Sequence, residues 1–184
     1  MKRAWRRGAI TAGLVGGGLA LWSGAIARAA EAAVPQDGRL VDVPGGRLHV
    51  VDSGGTGPVL VMLHGLYGQL RNFSYALSER MAADHRVILV DRPGWGWSRA
   101  HGAQPTLAEQ ARMIAALLDA LHLSDVLLVG HSMGGALALA VALDHPERLR
   151  GLALIAPLTQ EIEHTPRMVR GRTAIAPLRT LAAW

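Results

Sequence analysis

The stretch LVGHSMGGALAL, Leu128–Leu139, sets one serine among glycines between two apolar runs. The run leading into it, DVLLVG (Asp125–Gly130), is short and unbroken, the pattern of a strand buried on both faces. The run that follows, MGGALALAVALDH, is apolar on most sides and predicts an interior helix from about Met133. Ser132 therefore falls in the turn between a strand and a helix. So tight a turn tolerates only small flanks, and Gly130 and Gly134 stand two residues before and two after, the G-x-S-x-G pattern of a nucleophile elbow. That geometry lifts the hydroxyl clear of the sheet, and the helix N-terminus adds free N–H groups and the positive end of a dipole. The Met133 N–H is one expected donor to an oxyanion formed at Ser132. The plainer reading is a serine that caps a helix in a glycine-rich turn.

Working outward, RLVDV (Arg39–Val43) and RLHVVD (Arg47–Asp52) alternate with the strand period on either side of a PGG turn and predict a hairpin. VLVML (Val59–Leu63) and RVILVD (Arg86–Asp91) are further buried strands, and LRGLALIAP (Leu149–Pro157) follows the elbow helix as another. NFSYALSERMAA (Asn72–Ala83) predicts a helix. Thr106 and Glu109 form a capping box before an amphipathic one, with Leu107, Ala111, Ile114, Leu118 and Leu121 on one face. After the hairpin, strands and helices alternate without an internal repeat. The fold class is α/β, a mostly parallel sheet with helices on both faces.

A second oxyanion donor is expected where Val59–Leu63 ends, in MLHGLYG. His64 and Gly65 let the backbone turn there, so that the Leu66 N–H aims at the same oxygen. His64 reads as a brace for this loop rather than a proton carrier. His131 adjoins Ser132, but neighbours in a strained turn point apart, so it reads as packing at the elbow. Asp91 reads as the anchor of the RPGWGWS turn, and His49, His85, His101 and His122 as loop or surface residues.

HGLYG, DRPGWGWS and GHSMGG, in this order and at these separations, resemble the oxyanion loop, glycine-rich turn and nucleophile elbow of the α/β-hydrolase superfamily. The resemblance runs from about Arg39 to Pro157. It is nearest to the esterase, haloperoxidase and epoxide-hydrolase-like branch, and within it to bacterial members with an N-terminal membrane segment. It implies an N-terminal hairpin ahead of the parallel sheet and no cofactor. Epoxide hydrolases and haloalkane dehalogenases of that branch carry Asp at the elbow. Ser132 suits attack on a carbonyl and an acyl-enzyme instead. The expected activity is hydrolysis of a small, ester-like carbonyl substrate, with ester, thioester, amide and carbon–carbon bonds all open to it. An acyltransferase using the same residues and a non-catalytic, membrane-tethered binding or scaffold protein are the alternatives.

A serine needs a general base and an orienting carboxylate. The superfamily order is Ser, acid, His, with the later members well beyond the elbow, whereas only 52 residues follow Ser132. His164, with Glu161 or Glu163 beside it, is an improvised alternative. His145 ends the elbow helix, about 18 Å from Ser132 at about 1.5 Å per residue. The expectation is an N-terminal part of a longer enzyme, weakly active by itself, whose sheet ends on an exposed apolar edge.

Of the 184 residues half are hydrophobic, 22 are glycine and none is cysteine, which excludes disulfides and thiolate metal sites; no other metal site is read. The net charge of +5 belongs mostly to the leader, where Lys2, Arg3, Arg6, Arg7 and Arg28 against Glu31 account for +4. A nucleic-acid partner is therefore not expected. Arg167, Arg170, Arg172 and Arg179 read as a solvated face. The leader has a positive start, the uncharged stretch Gly8–Ala27, and small residues at A-x-A spacing around Ala25, Ala27 and Ala29. Arg6-Arg7 adds a twin-arginine pair. This predicts residues 1–30 as a signal peptide or an inner-membrane anchor, either placing the domain outside the inner membrane, periplasmic or secreted. Residues 31–38 read as a linker, 39–157 as the N-terminal part of the hydrolase core, and 158–184 as the truncated start of a lid.

Overall fold

A computed structural model describes the backbone at residues 2–74 and 76–159, and side chains within that range at 11 and from 13 onward. The chain divides into two compact units, and the one holding the sheet begins at Gln36. The other carries α1, Lys2–Ala33, a single 32-residue helix. The helix thus runs through the first residues expected to form a linker. Among the described residues no helix is long and apolar enough to cross a membrane.

In the sheet unit the predicted hairpin forms as β1 (Arg39–Val43) and β2 (Gly46–Asp52), antiparallel, with Val43 opposite Gly46. The central strands are β3 (Val59–Leu63), β4 (Arg86–Val90) and β6 (Val126–His131), and β7 (Leu149–Ile155) lies beyond β6. Together with β5 (Arg99–Ala100), a two-residue pairing with β2 that the sequence did not indicate, they make a seven-stranded sheet. Its order is β1-β2-β4-β3-β6-β7. β3 pairs parallel to both β4 and β6, and β6 parallel to β7. From β3 the chain adds β4 on one side and later β6 on the other. The ends of β3 and β6 therefore flank a topological switch point, where open α/β sheets place their ligands.

Each central strand divides its side chains between two cores. Val61, Leu63, Ile88, Val90 and Leu128 pack with α4 (Leu107–Ala120) and α5 (Met133–Asp144). Leu60, Met62, Val87, Leu89 and Val129 pack with Leu70 and Phe73 on the opposite face. The Thr106–Glu109 capping box is present, and Ala111, Ile114, Leu118 and Leu121 are buried. Leu107, at the first turn of α4, is 39% exposed instead.

The helix expected over Asn72–Ala83 forms as two short ones, α2 (Arg71–Ser74) and α3 (Leu77–Ala82). The Ser74 hydroxyl bonds back to the Arg71 carbonyl, and Ala76 gives α3 no side-chain cap. His49 is not a surface residue: it lies in β2 at 2% exposure. Among the described residues β7 has a strand neighbour on one side only, and Leu154 and Ile155 remain 37% and 42% exposed. This is the expected apolar edge.

Candidate active site

Leu63 of β3 lies in register with Gly130 of β6, so the two strand ends release their loops side by side. On the β6 side, His131 closes the strand and Ser132 turns the chain into α5 at φ 52° and ψ −116°. This backbone conformation is unfavourable for a residue with a side chain, and such strain gathers at functional sites. The turn is over-determined by its neighbours. The Ser132 N–H donates to the Ile155 carbonyl at 3.0 Å, and its carbonyl accepts from Gly135 and Leu158, both at 2.9 Å. The flanking glycines are required by contact. A Cβ on Gly134 would run into the Leu63 carbonyl, and one on Gly130 would meet the backbone of Gly134 and Gly135. The Ser132 side chain makes no capping hydrogen bond, so the plain helix-cap reading does not describe it.

On the β3 side, Gly65 lies against the serine: a Cβ there would stand 3.2 Å from Ser132 Cβ and 3.0 Å from His131 Nδ1. Leu66 follows in a turn closed by Gly68 N–H donating to the Gly65 carbonyl at 3.3 Å, with Tyr67 at φ 54°. Among the described residues neither the Leu66 nor the Met133 N–H has a hydrogen-bond acceptor. His131 is exposed at the end of β6 and packs beside Gly65.

His64 is fully buried, with both ring nitrogens engaged. Nε2 accepts from the Arg92 N–H at 3.0 Å, so Nδ1 carries the proton and donates to the Gly65 carbonyl at 2.8 Å. Burial, reinforced by the Arg92 charge, pushes His64 down to about 4. It is neutral at physiological pH, and the brace reading fits it. Asp91, also fully buried, accepts from Leu70 N–H at 2.7 Å and Trp97 N–H at 2.9 Å, and pairs with His49 Nδ1 at 2.8 Å. It anchors the loop after β4, as the sequence indicated, and His49 is its missed partner.

Arg92 was missed as well. It is 1% exposed, and its guanidinium donates to the Gly65 carbonyl and to Gln110 Oε1, both at 3.2 Å. Trp95 covers it at 5.2 Å, and Tyr67 meets the Trp95 ring edge-on at 5.7 Å. The available signal was a charge next to Asp91, at the start of the otherwise uncharged RPGWGW turn. Only the fold reveals that this charge turns inward.

Among the described residues no histidine hydrogen-bonds to Ser132 and no cluster of three or more His, Cys, Asp or Glu could hold a metal. Glu161, Glu163, His164, the arginines from Arg167 onward and most of the expected lid lie outside the described residues.

A family model described as "alpha/beta hydrolase fold" matches residues 58–174. The chain belongs to this α/β-hydrolase family. It is 34% identical over 120 residues to a dihydrolipoyllysine-residue acetyltransferase component of an acetoin cleaving system from Cupriavidus necator, covering 65% of this chain and 32% of that one. It is 41% identical over 115 residues to a 2-hydroxy-6-oxononadienedioate/2-hydroxy-6-oxononatrienedioate hydrolase from Burkholderia vietnamiensis, covering 59% and 39%. An esterase structure from Exiguobacterium antarcticum superposes with a TM-score of 0.61 at 30% identity, over 67% of this chain and 46% of that one. The chain thus spans between about a third and a half of the length of these relatives.

Proposed function

We propose that Ser132 is the nucleophile of a hydrolase that acts on a small, ester-like carbonyl substrate through an acyl-enzyme, with the Leu66 and Met133 N–H groups as its oxyanion hole. The observation that carries this reading is the strained φ/ψ of Ser132, held between β6 and α5 directly against Gly65. In the reaction the Ser132 oxygen bonds to the carbonyl carbon and its proton passes to a base. The carbonyl oxygen takes the negative charge, and the leaving group departs with a proton. Water then attacks the acyl-enzyme and restores the serine. Two preorganised donors, each contributing about 3 kcal/mol, supply much of the barrier reduction.

Hydrolase and acetyltransferase names among the relatives favour acyl transfer as a second reading, with another nucleophile in place of water. We propose that the base and acid lie beyond residue 184 rather than at His164 and Glu161 or Glu163. The test is fluorophosphonate labelling and p-nitrophenyl acetate turnover, each compared with Ser132→Ala. Labelling confined to Ser132 with slow turnover is the expected result. Fast turnover lost on substitution would place the base within this chain, and absent labelling of a longer chain that also carries the acid and histidine would favour a binding protein. The positive start and A-x-A sites of residues 1–30 support export as a further proposal, read by fractionating cells that express this segment fused to a reporter.

A further inference from the structure

We infer that Arg92 is a positioning residue of the oxyanion hole, acting through the Gly65–Leu66 peptide; the inference rests on the serine-hydrolase reading above. The Gly65 carbonyl and the Leu66 N–H belong to one planar peptide unit, so whatever holds the carbonyl also aims the N–H. Three donors converge on that carbonyl: His64 Nδ1 at 2.8 Å, Arg92 Nη2 at 3.2 Å and the Gly68 N–H at 3.3 Å. Hydrogen bonds accepted by a peptide oxygen polarise the unit and strengthen its N–H as a donor.

Of the three donors only Arg92 brings a charge, because His64 is neutral. Its second acceptor, Gln110 Oε1, is uncharged, and among the described residues its Nε has no partner. Among the described residues it makes no ion pair with a carboxylate. Burial lowers the guanidinium only to about 10, so it remains a cation at neutral pH. A buried guanidinium paired with a carboxylate would be neutralised locally. This one keeps its field for the negative charge that appears on the substrate oxygen, where low polarity keeps the attraction strong. The same side chain steadies the strained turn, since Trp95 stacks on it and Tyr67 packs on Trp95.

The test uses the full chain with Arg92→Met and Arg92→Lys, reading the kinetics of Ser132 phosphonylation by a fluorophosphonate and the Leu66 amide resonance in a 1H–15N spectrum. In Arg92→Met the maximal labelling rate is expected to fall about tenfold or more, with half-saturation within about twofold of wild type, and the Leu66 amide proton to move upfield. Arg92→Lys keeps a cation and one donor and is expected to recover part of both changes. A residue that only fills space would leave the Leu66 resonance and the rate-to-saturation split unmoved. Wild-type rates or an unmoved Leu66 resonance in the variants would overturn the inference. Where Arg92→Met does not fold, Arg92→Lys carries the same readouts, expected about threefold slower with Leu66 shifted, and wild-type values there overturn the inference equally. Labelled wild type with unaffected variants ends the inference and leaves the hydrolase reading standing. Unlabelled wild type ends the hydrolase reading, and the inference that rests on it falls with it.

Discussion

At Ser132 the backbone bears a conformation that glycine would take more easily. A side chain at φ 52° and ψ −116° costs on the order of 1–3 kcal/mol, against which glycine's extra freedom in the unfolded chain weighs about 0.5–1 kcal/mol. Ser132→Gly is therefore expected to raise stability by about 1 kcal/mol in thermal unfolding while abolishing fluorophosphonate labelling. A gain in stability with loss of function at one atom is the signature of strain kept for chemistry. His64 gives the second residue-scale prediction. Its folded value near 4 lies below its ordinary 6.5, so between those values the unfolded chain binds more protons and stability falls as the pH falls. The full contribution, about 3 kcal/mol, is present above pH 6.5 and gone below about pH 4. Urea unfolding from pH 7 to 4 is expected to show this slope in wild type and lack it in His64→Gln.

Among the elements, the elbow helix α5 is positioned by absence of side chain. Gly134 lets its first turn sit on the carbonyl that ends β3, which brings the start of α5 beside the loop that leaves β3. Gly134→Ala must push α5 away from β3, a backbone contact that no rotamer can relieve. The expected loss is about 3 kcal/mol in denaturant unfolding, with slower labelling of Ser132 in whatever fraction folds. An unchanged midpoint would mean that the elbow relaxes freely and is not held by this contact. The elements themselves were largely legible, because β3, β4 and β6 are unbroken apolar runs and α4 announces its start with Thr106 and Glu109. The exceptions have local causes. The Asn72–Ala83 pattern lacks a strong cap at its centre, and β5 is two residues whose pairing exists only because β2 passes beside them.

At the scale of the whole molecule, the β7 edge of the sheet bears on association. Among the described residues its outer side has no strand partner, and with the exposed Leu154 and Ile155 it forms a template for another strand. This chain is expected to self-associate with rising concentration in analytical ultracentrifugation, and Leu154→Lys to shift it toward monomer without lowering the melting temperature by more than about 4 °C. Concentration-independent sedimentation of wild type would show the edge to be covered.

Ser132, Gly130 and Gly134 needed no coordinates, because a strand-to-helix turn around a serine imposes its spacing on the neighbouring residues. The hairpin, the parallel strands and the brace role of His64 followed from period and position in the same way. Tertiary structure alone decided where the lone charges and polar rings went. The strand period places His49 in β2, but nothing near it in the chain signals that its ring is buried against Asp91, 42 residues later. Nothing near Arg92 signals that it turns inward to the Gly65 carbonyl, 27 residues earlier. Local pattern reports which face of an element is apolar. A buried polar side chain is instead placed by its distant partners, and those meet only when the sheet assembles.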